Sequence, residues 1–249
     1  MRVVRHNGFI KSRKRRARWV ALIGFALLTS TLWIALNPSY ILPAYGMMLI
    51  GFILFNMGMR QLGKWSRNPR NDQLIDNELR IVSDKYFIVH YPPIGRRQVE
   101  HVIVHPGGVL VLVAREIDGD VFANGDSWRK TGAGLRRFFT FSGPQLGSPS
   151  REASEGEAEL DHFLEEQSLS VDVEAAIVFL HPQVHLQVEA PSYPVLHLDE
   201  VPGFLQQLAP DPTFTSSERD RLVDLLAEGE EVERPMTPQM RRPVKRRAA

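Results

Sequence analysis

The chain has 249 residues, of which 43% are hydrophobic and 24% charged, with 18 Gly, 17 Pro and no Cys. These totals exclude collagen-like, coiled-coil and wholly disordered chains and leave an ordinary folded protein of one or two domains. The missing cysteines rule out a disulfide framework, a thiolate metal site and a cysteine nucleophile. The formal net charge of +1 averages over unlike pieces: residues 1–70 hold twelve basic and no acidic side chains, residues 71–235 sum to −16, and five basic residues follow Pro238. Asymmetry of this size marks separate environments along one chain.

No formal charge appears over the 41 residues from Trp19 to Met59. One spanning helix takes about 20 apolar residues, so the stretch holds two, over 19–36 and 41–59, parted by the turn signal Asn37-Pro38-Ser39. Before the first stand Arg2, Arg5, Lys11, Arg13, Lys14, Arg15, Arg16 and Arg18; after the second come Arg60, Lys64, Arg67 and Arg70. Basic flanks stay on the cytoplasmic side, so the pattern predicts a multi-pass cell-membrane protein with both termini cytoplasmic and the bilayer as its first partner. A cleaved signal peptide is the rival reading. Its apolar core is shorter, about 7–15 residues, and a small-x-small site follows it, whereas here a second apolar run follows at once. The spans contain no ionisable residue, which favours an anchor over a transport path.

A polar linker over 60–71 leads into an α/β domain expected over 72–228. Leu74, Ile75, Leu79 and Val82 stand at helical spacing over Asp72–Ser83. Tyr86–Tyr91 reads as a strand ended by Pro92-Pro93. Gln98–Val104 and Val109–Ala114 read as a strand pair joined tightly by His105-Pro106-Gly107-Gly108, and the second run is apolar throughout, as in a central strand covered on both faces. Short strands follow at Gly119–Phe122 and Ser127–Lys130, then a loop over 131–150 and a mostly acidic helix over Glu152–Glu166. Glu174–Leu180 and Tyr193–Leu198 are further strands, and Val201–Leu208 and Ser217–Ala227 closing helices. Residues 229–249 are expected to form a disordered basic tail.

Element order and motifs together resemble the nuclease-related domain, NERD, a branch of the PD-(D/E)XK nuclease-like fold. The likeness covers roughly residues 72–208. Its best part is RQVEHVIVHPGGVLVLVAR, from Arg97 to Arg115, supported by Gly119-Asp120-Val121, Trp128, Ser148-Pro149 and EAAIVFL. The resemblance implies a restriction-endonuclease-like α/β domain with a central mixed sheet. It also implies Mg²⁺ or Mn²⁺ held by carboxylates from adjacent strands, with a Lys two residues beyond the second. Carried over by position, the family's Asp falls on Glu100, its Glu on Val113, its Lys on Arg115 and the Gln of its helix motif on Glu152. Val113 removes a ligand, and the Arg115 guanidinium is a fork that keeps its proton. Glu116 and Asp118 are the alternative carboxylates; strand alternation points Glu116 to the face opposite Arg115.

The resulting expectation is a membrane-anchored, NERD-like protein whose degenerate domain serves binding or scaffolding through an unidentified protein partner, with no cofactor or metal. The alternative is a membrane-tethered nuclease acting on DNA or RNA with Mg²⁺ or Mn²⁺ and a rearranged site. Arg96, Arg97, Arg136 and Arg137 are candidate nucleic-acid or anion contacts, set against a strongly acidic domain. Arg241, Arg242, Lys245, Arg246 and Arg247 are candidate contacts to anionic lipid. The His101/His105 and His181/His185 pairs have the spacing of helical zinc ligands but fall in strand or turn contexts.

Overall fold

A computed structural model describes residues 1–95, 99–131 and 145–233, and within them the apolar run at 109–114 lies in the interior of a seven-stranded mixed sheet. The elements are β1 (Arg2–Arg5), α1 (Asn7–Ile34), α2 (Ile41–Ser66), α3 (Asn71–Leu79), β2 (Phe87–His90), β3 (His101–His105), β4 (Gly108–Arg115), β5 (Gly119–Asn124) and β6 (Ser127–Lys130). They continue with α4 (Pro149–Glu166), β7 (Val173–Phe179), β8 (Val184–Glu189), β9 (Val195–His197), α5 (Val201–Gln207), α6 (Ser216–Ala227) and β10 (Val232–Glu233). The large sheet runs β10-β1-β2-β3-β4-β7-β9, and β6-β5-β8 form a separate three-stranded sheet.

Alternation along β4 feeds two cores. Val109, Val111 and Val113 pack with Val102, Val104, Ala175 and Ile177 beneath Leu160 and Leu164 of α4 and Leu222 and Leu226 of α6. Leu110, Leu112 and Ala114 pack with Ile103, Ala176 and Val178 beneath Ile75 and Leu79 of α3 and Val201 and Leu205 of α5. Both faces are dry, so the strand needs no polar alternation. The Pro106-Gly107 turn joins β3 to β4 in antiparallel register, with His105 opposite Gly108.

Three expectations need correction. The N-terminus over 1–18 is not a separate basic piece: Arg2–Arg5 lies parallel to β2, Val3 opposite Ile88 and Val4 opposite Val89, and antiparallel to β10. Val4 enters one core and Val3 the other. Four residues are too few to show a period among so many charges. At the other end Val232–Glu233 extends the sheet inside the expected tail, whose remainder, 234–249, lies outside the described residues. β8 was not anticipated; Gln187, Glu189 and His185 on it alternate with apolar residues as on a half-solvated strand.

Because β1 and β2 are parallel, the chain between them is one long crossover, consisting of α1, α2 and α3. The helices of the hairpin run about 42 and 39 Å at 1.5 Å per residue, farther than the apolar stretches at 19–36 and 41–59, and both are long and apolar enough to cross a membrane. The Asn37 side chain accepts a hydrogen bond from the Ser39 N–H (3.1 Å) and tightens the turn between them. Large apolar side chains such as Leu32, Trp33 and Leu42 point outward, while Gly24 of α1 meets Gly51 of α2 and Ala21 meets Gly58.

A Cβ on Gly58 would lie 2.3 Å from the Ala21 nitrogen, and on Gly46 it would meet nothing within 4 Å. Gly58→Leu is therefore expected to destabilise the detergent-solubilised chain by about 1–3 kcal/mol in a thermal or denaturant melt, and Gly46→Leu to leave it unchanged. Equal effects of the two would contradict this close helix contact.

Candidate functional site

The register of β3 with β4 sets His101 opposite Leu112 and Val102 opposite Val111; one residue further back, Glu100 comes beside Val113. Glu100, Val113 and Arg115 then share the face covered by α4. They line one narrow cleft of about 60 Å³ with Glu152, Glu155 and Gly156, room for a few waters. Gly156 lets α4 approach β4: a Cβ there would lie 2.9 Å from Val111 Cγ1. The residue types expected by position are thus brought together, with a methyl-bearing side chain where a second carboxylate would stand.

Each carboxylate at this end of the sheet is held by a cation. The Lys64 ammonium, from the last turns of α2, donates to Glu100 Oε1 at 2.5 Å, and Glu100 keeps 26% exposure. Burial pushes the Glu100 carboxyl up, but the Lys64 charge and its hydrogen bond, with help from Arg115, outweigh this and hold it below the usual range. Each nitrogen of Arg115 has a partner: Nε donates to Leu146 O (2.7 Å), Nη1 to Ala114 O (3.0 Å), and Nη2 pairs with Glu152 Oε1 (2.5 Å). Arg67 pairs with Glu116, whose carboxyl burial nonetheless pushes up. Asp118 pairs with Lys130 of β6 at 2.7 Å and is held low by that hydrogen bond.

The base of the hairpin is fixed to the same corner. Phe9 of α1 stacks on Tyr91 (5.7 Å between ring centroids), and Trp65 of α2 meets both rings edge-on. Tyr91 has φ +59° and donates its N–H to the Glu100 carbonyl (2.7 Å). Behind it runs a buried polar chain. Arg70 binds Asp72 through Nε and Nη2, both at 2.9 Å. Arg5 of β1 pairs with Asp72 and Asp76. Asp76 Oδ1 lies 2.8 Å from His90 Nε2, and His90 Nδ1 lies 2.8 Å from His101 Nδ1. Burial pushes the Asp72 carboxyl up, but the Arg70 hydrogen bond and the nearby charges outweigh it and hold the group low. His101 is fully buried, and its Nε2 has no partner among the described residues.

Glu100, Val113 and Arg115 therefore meet as expected, and Asp118 does not join them. Glu116 corrects the alternation argument: it follows the last residue of β4, and its side chain lines a larger cleft of about 570 Å³ together with Glu100, Arg115 and Glu152. Arg96, Arg97, Arg136, Arg137, Arg241, Arg242, Lys245, Arg246 and Arg247 lie outside the described residues. The paired histidines expected to be bland remain apart from one another; His101 meets His90 instead. Sequence reasoning passed over Lys64 and Arg67, which counted only as flanking charge. A hint was available in their i, i+3 spacing at the end of α2. Among the described residues no three His, Asp or Glu side chains gather as metal ligands do.

A mixed sheet covered by helices on both faces, with the cleft at the ends of β3 and β4, defines an α/β domain of a kind consistent with a nuclease-related one. Residues 67–180 match the family model of the nuclease-related domain. The match runs from the end of α2 through β7, shorter than the 72–208 suggested by the motifs. Comparison with curated proteins and with solved structures found no match.

Two outcomes follow from the site's electrostatics. Glu100 is held low, so its pairing stabilises the fold above the usual carboxylate range and is lost as acid protonates it. Lys64→Met is expected to cost about 1 kcal/mol or less at neutral pH for so exposed a pair, with a coupling to Glu100→Gln that vanishes in acid; a pH-independent coupling would contradict the pairing. Burial also holds His101 down at about 3, with His90 adding to the effect, and His105 down at about 4. The unfolded chain takes up those protons near the ordinary value of 6.5. Stability is thus complete above that pH and falls below it, and His101→Gln is expected to remove up to about 1.4 kcal/mol per pH unit of that slope in urea melts between about pH 6 and 4.5. An unchanged slope would contradict a buried neutral His101.

Proposed function

We propose that this chain is a membrane-anchored protein whose nuclease-related domain stands at the cytoplasmic face and serves binding or scaffolding rather than phosphodiester cleavage. The observation that carries the reading is Lys64 on Glu100 with Val113 beside it. A PD-(D/E)XK-type reaction needs a cation held between two carboxylates; here one carboxylate is a valine and the other is neutralised by an ammonium of the same chain. Each nitrogen of Arg115 already holds a partner in the chain, and its guanidinium keeps its proton, so it does not replace a lysine beside an attacking water. The donor set does not fit Mg²⁺ or Mn²⁺, which take several hard oxygen ligands. The −16 charge of residues 71–235 also opposes approach of a polyanion.

The anchoring rests on the uncharged 41-residue stretch, the outward apolar side chains and the basic flanks. Both ends of the hairpin return to one sheet, which fits an even number of crossings, and the basic ends fit the cytoplasmic side. Glu116 in the larger cleft favours the second reading, a nuclease with a relocated ligand, but its oxygen is already paired with Arg67.

The test uses the full chain, since cutting before residue 71 would remove β1 from the sheet. Single- and double-stranded DNA and RNA are incubated with it in detergent and Mg²⁺ or Mn²⁺. No cleavage above a Glu100→Ala control is expected. Metal-dependent cleavage that disappears in that control would overturn the non-catalytic reading.

A further inference from the structure

The larger cleft has one wall made by the end of α2 and the other by the domain. It is lined by Met59, the last residue of the uncharged stretch, by Arg60, Gly63 and Lys64, and across from them by Glu100 and Arg115. On the anchored reading, on which this inference rests, Met59 lies at the edge of the hydrocarbon and Arg60 at the level of the phosphates, so the mouth of the cleft opens among lipid headgroups.

Its charges do not cancel. Arg60, Lys64, Arg67 and Arg115 bring four cations, and Glu100, Glu116 and Glu152 three carboxylates. Three cation–carboxylate pairs use up all but Arg60. Arg60 is half-buried in the cleft wall and makes no ion pair or hydrogen bond among the described residues. Lys64 and Arg67 keep 46% and 49% exposure, so each can bond a further acceptor while holding its carboxylate. A guanidinium with two flanking cations and one unit of excess positive charge suits a single monoanionic phosphodiester. About 570 Å³ is ample for a headgroup and too confined, beside a bilayer, for a nucleic-acid duplex.

We infer that this cleft binds the headgroup phosphate of one anionic glycerophospholipid from the leaflet beside the domain. A lipid is favoured over a soluble phosphate ester because α2 itself forms the wall and delivers the neighbouring lipid to Arg60.

The full-length protein is extracted in mild detergent and exposed to phosphatidylglycerol or phosphatidylcholine, and native mass spectrometry counts the lipid retained. One phosphatidylglycerol is expected to be held in preference to phosphatidylcholine. Its retention should fall about fivefold in Arg60→Gln, the loss expected for one basic contact at a membrane surface. Gly63→Leu should weaken it as well, by filling the cleft; a Cβ there meets nothing within 4 Å, so this variant folds. Equal retention of the two lipids, or full retention in both variants, overturns the inference, as does displacement by an equal concentration of glycerol 3-phosphate. A chain that leaves membranes in carbonate overturns the anchored reading itself; an embedded chain without lipid preference overturns only this inference.

Discussion

The parallel pairing of β1 with β2 governs the rest of the molecule. Parallel neighbours need a crossover, and here the crossover is the whole apolar hairpin, so four residues before it and the strand after α3 close one sheet around it. Arg5 is the chemical form of that closure: it leaves β1 to pair with Asp72 and Asp76 of α3, and through Asp76 and His90 the buried chain reaches His101, next to Glu100. Removing one member of such a buried network leaves an uncompensated charge, which is costlier than the network's net contribution. The hairpin is therefore built into the domain and is not a tether joined by a loose linker.

That construction explains the state of the site. Seated by Phe9, Trp65 and Tyr91, the end of α2 lies against β3 and β4 and delivers Lys64 and Arg67 to carboxylates at the sheet ends. Where a nuclease would gather negative charge for a metal, this chain distributes positive charge of its own. Val113 beside Glu100 and the Lys64 ammonium on it are complementary, since a lone carboxylate left half-buried would favour its neutral form. The proposed lipid site and the proposed non-catalytic role rest on the same geometry.

Much of the fold was legible because its signals are periodic or compositional. The apolar run of β4, the Pro106-Gly107 turn, the helix of α4 and the uncharged stretch at 19–59 all fall where elementary patterns put them. The site's own strand pair was legible by motif, which placed Glu100, Val113 and Arg115 together. What escaped was short or long-range. β1 and β10 have four and two residues and acquire meaning only from their partners. Lys64 lies 36 residues from Glu100, and no local pattern links them. Glu116 misled because alternation holds inside a strand and ends with it at Arg115.

The central claim is that a cation of the chain itself occupies the place a metal would take beside Glu100. Titration of the full-length protein with Mn²⁺, followed by the loss of the free-ion paramagnetic resonance signal, tests it most directly. The account expects no bound Mn²⁺ at micromolar concentration in the native chain and none lost on Glu100→Gln. A stoichiometric micromolar site that Glu100→Gln abolishes would contradict it.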